Sequence, residues 1–239
     1  MLMMSPQSEV NDVYVFGDSH WRVFFPFVNH GDPGISHTGE CNGIKIRTVD
    51  TIANELSGST MWGLLNEKSH HGARNRTLNT LKNLNGVENV ALVFGEVDAR
   101  YHYDRYHDGD QLLVNRAIDL VSRYVKFVEE DLIRTGLVRN NIFIYHGFAY
   151  PQKEKTLLQP GQPIGKDFLK AGNVNKIVQT LVNSCFRAFD NVTVITPGLS
   201  AEALVSADGV HLDPATVYGD ITLPAMGNRF LRQKERWAI

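Results

Sequence analysis

The sequence predicts an α/β domain with a mostly parallel sheet and helices on both faces. Three observations predict it. Strand-like and helix-like patterns alternate along the chain, the order that a parallel sheet with crossover helices requires. Continuous apolar runs of strand length, such as Asn89–Phe94 (NVALVF), are closed by glycine, and such runs suit strands covered on both sides. Gln111–Thr135 places Leu113, Ala117, Leu120, Tyr124, Phe127, Val128 and Leu132 in the helical period.

Taken in order, the first run is Val13–Phe16, stopped at Gly17 and followed at once by Asp18, Ser19 and His20. Trp21–Phe27 (WRVFFPF) reads as a short helix start that Pro26 ends. Asn29–Gly43 collects Asn, His, Gly, Asp, Pro, Ser and Thr, and is expected to be a long surface loop. Ile44–Val49 alternates as a half-exposed strand does. Ser59–Leu65 is a further short apolar segment, and either of these two could lie beside the first strand. Asn66–Asn75 reads as loop and Thr77–Leu84 as a short helix. After the Asn89–Phe94 strand comes the long helix, with Gly136 as its stop. Asn141–Tyr145 is the fourth strand, Pro151–Lys170 a proline-bearing loop, Val174–Phe189 a second good helix, and Val192–Thr196 the fifth strand, ending at Pro197.

The 239 residues suffice for one sizeable core. With no repeat, low-complexity tract or linker, a single domain spanning 1–239 is expected, with residues 1–11 as a disordered tail. The formal charge of −2, with Lys and Arg spread along the chain, argues against a nucleic-acid partner. Cys41 and Cys185 are the only cysteines, too far apart for a metal motif or disulfide framework, and read as ordinary thiols of a reducing compartment. The start lacks the basic and apolar regions of a signal peptide, and no apolar run approaches the ~20 residues of a membrane span. A cytoplasmic protein without a membrane partner and without a cofactor is expected. Oligomeric state is not legible.

Polar residues that follow strands or break apolar segments gather in four stretches: GDSH (17–20), STMWGLLNEKSHHG (59–72), GEVDAR (95–100) and DGVHLD (208–213). Open α/β sheets bind ligands at the C-terminal ends of their strands, which is where Ser19 falls. Serine is a poor nucleophile unless a general base reaches it. A histidine base in turn needs an acceptor on its other nitrogen. Asp208 and His211, three residues apart, can satisfy that need locally. A catalytic group Ser19, Asp208, His211 follows.

GDSH, GEVDAR and DGVH resemble, in order and in strand context, the first, third and last blocks of the SGNH/GDSL hydrolase superfamily. The resemblance covers nearly the whole chain. It implies a three-layer α/β/α sandwich with a mostly parallel, flavodoxin-like five-stranded sheet, and a serine esterase in which Ser19 is the nucleophile, His211 the base and Asp208 its orienting partner. One departure stands out. The family's third-block asparagine donates to the oxyanion, and here Val97 occupies that position. The oxyanion would then rest on the N–H of Ser19 and of a second-block glycine, Gly72 first and Gly63 second, with Asn66, Asn75 or Arg100 as substitute donors. Losing one oxyanion donor typically costs about 10²–10³ in rate.

Glu96, Asp98 and Arg100 form a compact charged group, either an ion pair fixing the loop or a substrate contact, since Arg100 can grip a carboxylate or diol in bidentate fashion. His20, His70, His71 and His102 are expected in loops or behind the reacting groups. Trp21 and Trp62 are expected to pack under the loops, while Tyr101 could stack on a sugar ring. The implied substrate is an O-acyl, most simply O-acetyl, ester of a carbohydrate or another small polar molecule. Three rivals remain: an O-acyltransferase on the same scaffold, a glycan-binding module with a relict triad, and a metal-dependent phosphoesterase using Asp18 and His20. Against the last, Asp98 lies one position early for such a motif and no G-N-H-[DE] block follows.

Overall fold

The structure, a computed structural model, describes residues 10–26, 36–49, 60–70, 72–95, 98, 110–146, 168–196 and 213–237, with 19, 110–113, 168–175 and 237 described by their backbone alone. Six strands form one sheet in the order β2-β3-β1-β4-β5-β6. They are β1 (Val10–Gly17), β2 (Ser36–Cys41), β3 (Ile44–Val49), β4 (Val87–Val93), β5 (Val138–Tyr145) and β6 (Val192–Ile195). All neighbours run parallel except β2, which pairs antiparallel with β3. All five expected strands are present, and β1 begins at Val10, so residues 10 and 11 are strand and not tail, paired with β3 through Lys45 and Ile46.

The sixth, β2, lies in the stretch read as loop. Its side chains alternate only between exposed and half-buried, as expected of an edge strand with little to bury. What makes the hairpin is the Asn42–Gly43 turn, with φ of 54° and 70° at its two central residues. The same pairing settles which segment flanks β1: Ile44–Val49 does, and the Ser59–Leu65 segment instead contains a helix.

The helices are α1 (Met61–Leu65), α2 (Ala73–Asn83), α3 (Asp110–Lys126), α4 (Phe168–Phe186), α5 (Pro214–Val217) and α6 (Leu223–Trp237). α3 continues as a wider π-helical segment over Phe127–Ile133, and Gly136 then takes φ +70° as the chain leaves it. α2 begins one turn earlier than its leucines suggest. α5 and α6 were not expected at all. Asp213 starts the first of them by accepting the Thr216 N–H at 3.1 Å, with Pro214 in the position where a missing N–H costs nothing.

The period-2 alternation of the strands divides the apolar residues into two cores. On one face Phe16, Val90, Leu92, Ile142 and Ile144 pack against α1–α4, where Leu64, Leu81, Tyr124, Phe127, Val182 and Phe186 are buried. On the other, Val13, Val15, Ala91, Val93, Phe143 and Tyr145 pack against Trp21, Phe24, Val217, Met226 and Phe230. This is the three-layer α/β/α sandwich that the alternation implied. Each fully buried large side chain contributes roughly 1.5–3 kcal/mol, so the central strands dominate the stability. Both cysteines are free thiols, Cys41 half-buried and Cys185 exposed. Among the described residues, no helix is long and apolar enough to cross a membrane.

Candidate active site

The strand order reverses at β1, which has β3 on one side and β4 on the other. The crevice beyond the C-terminal ends of β1 and β4 is therefore the topological switch point, the preferred ligand site of such sheets. The described residues that directly follow β1, β4 and β5 include Asp18, Gly95 and His146.

Gly17 closes β1 against β4 so tightly that a Cβ on it would lie 2.5 Å from the Val93 carbonyl oxygen. One residue on, the Asp18 N–H donates to that same carbonyl at 2.9 Å. A short 3₁₀ helix, Ser19–Phe24, starts immediately, and Asp18 is its cap: Oδ1 accepts the His20 N–H at 2.9 Å and contacts His20 Nδ1 at 3.1 Å. Asp18 and His20 are both buried. The backbone of Ser19 thus sits in a fixed turn at the mouth of the crevice, and the capping role open to serine or aspartate falls to Asp18. The turn is anchored from below by Trp21, Phe24 and Phe25, whose rings are wholly buried, Trp21 edge-on to Phe25 at 5.2 Å.

Beyond β4, Gly95 adopts φ +112°. A Cβ there would stand 2.5 Å from His146 Cε1 and 3.0 Å from Met61 Cε, so the position is closed to side chains both conformationally and sterically. His146, the residue after β5, therefore lies buried beneath the crevice. Sequence reasoning passed over it, although it is a polar residue ending an apolar strand, the signal that singled out Ser19.

Asp98 is 1% exposed, and its two oxygens accept the first backbone amides of α1: Met61 N–H at 2.5 Å and Trp62 N–H at 3.0 Å. Thr60 Oγ1 takes the Gly63 N–H at 2.8 Å, so three of the helix's otherwise orphaned donors are satisfied. Burial pushes the Asp98 carboxyl up to about 7, against the pull of the Trp62 and Met61 amides and with a further push from the Asp18 charge. The buried Tyr124 hydroxyl, on α3, is held un-ionised chiefly by burial and secondarily by the Asp18 charge. Asp18 thus contacts His20 directly and acts through its charge on the buried Asp98 and Tyr124.

The remaining second-block residues serve local structure. Gly72 has φ +58° at the start of α2, and its N–H donates to the Ser69 carbonyl at 2.9 Å. Gly63 donates to Thr60 as described, so in this arrangement both amides are already engaged. Asn66 Oδ1 accepts the Lys68 N–H at 3.1 Å. Trp21 is core, as expected, but Trp62 is 48% exposed with the Arg123 guanidinium 4.9 Å from its ring centre. Arg123 also donates to the Leu65 carbonyl at 2.7 Å, so α1 is held at both ends. His70 is exposed.

Glu96, Val97, Arg100, Tyr101, His71, His102, Asp208 and His211 lie outside the described residues, as does the side chain of Ser19. The description resumes two residues after His211, at Asp213. The helix that Asp213 caps, α5, packs against the Ser19–Phe24 turn, with Val217 and Tyr218 in the same core as Trp21 and Phe24.

No family model matches the chain, and no curated protein matches it in sequence. Solved structures do match in fold. One aligns with 96% of this chain and 99% of its own at 11% identity and a TM-score of 0.52. A candidate arylesterase from Agrobacterium tumefaciens str. C58 covers 95% and 99% at 14% identity, TM-score 0.49. The inhibitor-bound aryl esterase of M. smegmatis covers 93% and 99% at 12% identity, TM-score 0.48. At such identities the likeness is one of fold, and the α/β class rests on the sheet and its two covered faces.

Proposed function

We propose that the chain is a serine hydrolase of SGNH type that cleaves an ester, with Ser19 as nucleophile, His211 as general base and Asp208 orienting His211. One observation carries the reading: α5, which starts three residues after His211, packs against the short helix that starts with Ser19. Two residues of chain span at most about 7 Å, so His211 stays close to Asp213 at the head of that helix. This contact supports a reading in which the two ends of the sequence that bear the chemistry meet at one crevice. The crevice is the switch point of the sheet, where the fold favours a ligand.

In the reaction, Ser19 Oγ attacks the ester carbonyl carbon while one imidazole nitrogen of His211 takes its proton. Asp208 accepts the other ring N–H and stabilises the imidazolium. The tetrahedral oxyanion is held by the Ser19 N–H. Collapse releases the alcohol, which leaves with the proton from His211, and an acyl group stays on Ser19. Water, deprotonated by His211, attacks the acyl-enzyme and regenerates the serine. The substrate is an O-acyl ester of a carbohydrate or another small polar molecule, by analogy with the fold. Neither nucleic acid nor a membrane takes part, and the work is done in the cytoplasm.

A second reading has its own support. Val97 stands in the family's oxyanion-donor position, and the amides of Gly63 and Gly72 are already engaged. A site so poor in donors suits a binding module with a relict triad; an acyltransferase that passes the acyl group to a sugar hydroxyl would use the same triad and need the same oxyanion donors as the hydrolase.

Hydrolysis of short-chain p-nitrophenyl esters by wild type and Ser19→Ala, each with and without EDTA, separates these readings. Activity that survives EDTA and vanishes with Ser19→Ala supports the triad. Loss with EDTA would favour the Asp18/His20 metal reading, and silence in every sample the binding module or the acyltransferase.

A further inference from the structure

At the opposite end of the sheet from Ser19, α6 lies beside the N-terminal ends of β5 and β6 and leaves an open cleft of ≈ 410 Å³. Arg229, Gln233 and Arg236 enter it from one stripe of α6, spaced four and three residues apart. Arg139 and Asn140 come from β5, and Asp190 and Asn191 precede β6.

The unusual member is Arg229. It is only 9% exposed, yet no described carboxylate forms an ion pair with it. Its Nε donates to Asn141 Oδ1 at 2.8 Å. Asn141 can accept little more, because its Oδ1 also takes Gln233 Nε2 at 2.9 Å. Its Nδ2 is spent as well, on Asn89 Oδ1 at 2.8 Å and Gln233 Oε1 at 2.9 Å. Asn89 is tied in turn to the Asp12 carbonyl at 3.0 Å. This amide chain fixes the guanidinium by one of its five N–H groups and leaves the others for the cleft.

A buried charge needs a counter-charge, and the surroundings mostly add more of the same sign. Burial, then Arg232 and Arg236, weaken the hold of Arg229 on its proton, and Asp190 alone among its charged neighbours works the other way. Arg139 is already paired with Glu88 at 2.8 Å. Three arginines and one exposed aspartate thus place charged groups around a cleft whose exposed lining is otherwise largely apolar, and its buried donor, Arg229, is pre-oriented. Pre-orientation is what lowers the cost of gripping an anion, and a planar guanidinium fits tetrahedral and planar oxyanions alike.

We propose that this cleft binds a small phosphate-type oxyanion, free or as a phosphomonoester, with Arg229 as the buried donor and Arg236 at the rim. It is separate from the Ser19 crevice and does not depend on what that crevice does.

The test is thermal unfolding and titration calorimetry of the full chain with sodium phosphate, with glycerol 3-phosphate, and with sodium chloride at matched ionic strength. Phosphate is expected to raise the unfolding temperature saturably where chloride does not. Glycerol 3-phosphate binding more tightly than inorganic phosphate marks a phosphomonoester site, and the reverse order a free-anion site. Arg236→Ala, at an exposed position, is expected to weaken binding at least tenfold, and Arg229→Lys, checked for folding by circular dichroism, to do the same. A response equal to that of chloride, or one that both variants retain, overturns the proposal.

Discussion

The Asp98 carboxylate accepts the backbone N–H of Met61 at 2.5 Å, across an interval of 37 residues. That contact ties the loop after β4 to the start of α1 and builds the wall of the crevice from two distant stretches. It also gives the GEVDAR segment a physical role: Asp98 is a buried helix cap, with Trp62 as its second donor.

The cap should titrate. Asp98 ionises at about 7 in the folded chain, above the ordinary carboxylate range, because burial penalises its charge. Between the ordinary value of 3.8 and about 7 the folded state holds a proton that the unfolded state has lost. Its contribution to stability is therefore complete below 3.8, declines as pH rises through this window, and is gone above about 7. Asp98→Asn removes the titration and leaves Met61 or Trp62 facing an amide donor, at a cost of about 1–2 kcal/mol. Urea unfolding from pH 4 to pH 8 should show the stability difference, wild type minus variant, falling with pH. A difference that rises or stays flat would contradict the burial argument.

Gly95→Ala is expected to cost about 2–4 kcal/mol, from the positive φ and from the overlap with His146. The urea midpoint reads it. Gly72→Ala provides the contrast. It has a similar φ of +58° but nothing within 4 Å of an added Cβ, so only the conformational cost of about 1 kcal/mol applies.

A residue at the rim of the crevice and one in a central strand should differ sharply in what they contribute to stability. Trp62→Ala removes a half-exposed ring and its contact with Arg123, and should cost less than about 1 kcal/mol. Phe143→Ala, by contrast, empties a wholly buried site on β5 where the ring meets Phe230 edge-on at 5.7 Å. About 3–5 kcal/mol is expected. Equal effects of the two changes would mean that the central strands do not dominate stability.

Much of this architecture was legible because buried parallel strands have a loud signature. The runs ending at Gly17, Phe94 and Tyr145 are apolar on both faces, and all three proved to be central strands. The edge strand β2 was missed because Ser36–Cys41 buries almost nothing, so its pattern is polar and its one clear mark is the Asn42–Gly43 turn. α5 was missed although Asp213 followed by Pro214 is a helix-start signal: a π-helical segment, Tyr218–Thr222, carries it straight into α6, and Pro214, Gly219, Pro224 and Gly227 are poor helix formers that mask the continuous helix in the sequence. Asp98 was legible as important but not as a cap. Its partners are backbone amides, and no residue type in the sequence announces those.

The turn after β1, singled out in the sequence by Asp18-Ser19-His20, is a short helix start that the buried Asp18 side chain caps. The account's central claim is that Ser19 is a nucleophile. The most direct measurement is covalent: incubate the native chain with a fluorophosphonate and map the adduct by peptide mass spectrometry. A single adduct on Ser19, absent after heat denaturation and absent in His211→Ala, is the expected result. No adduct on the native chain, or one on another serine that persists in His211→Ala, would contradict the claim.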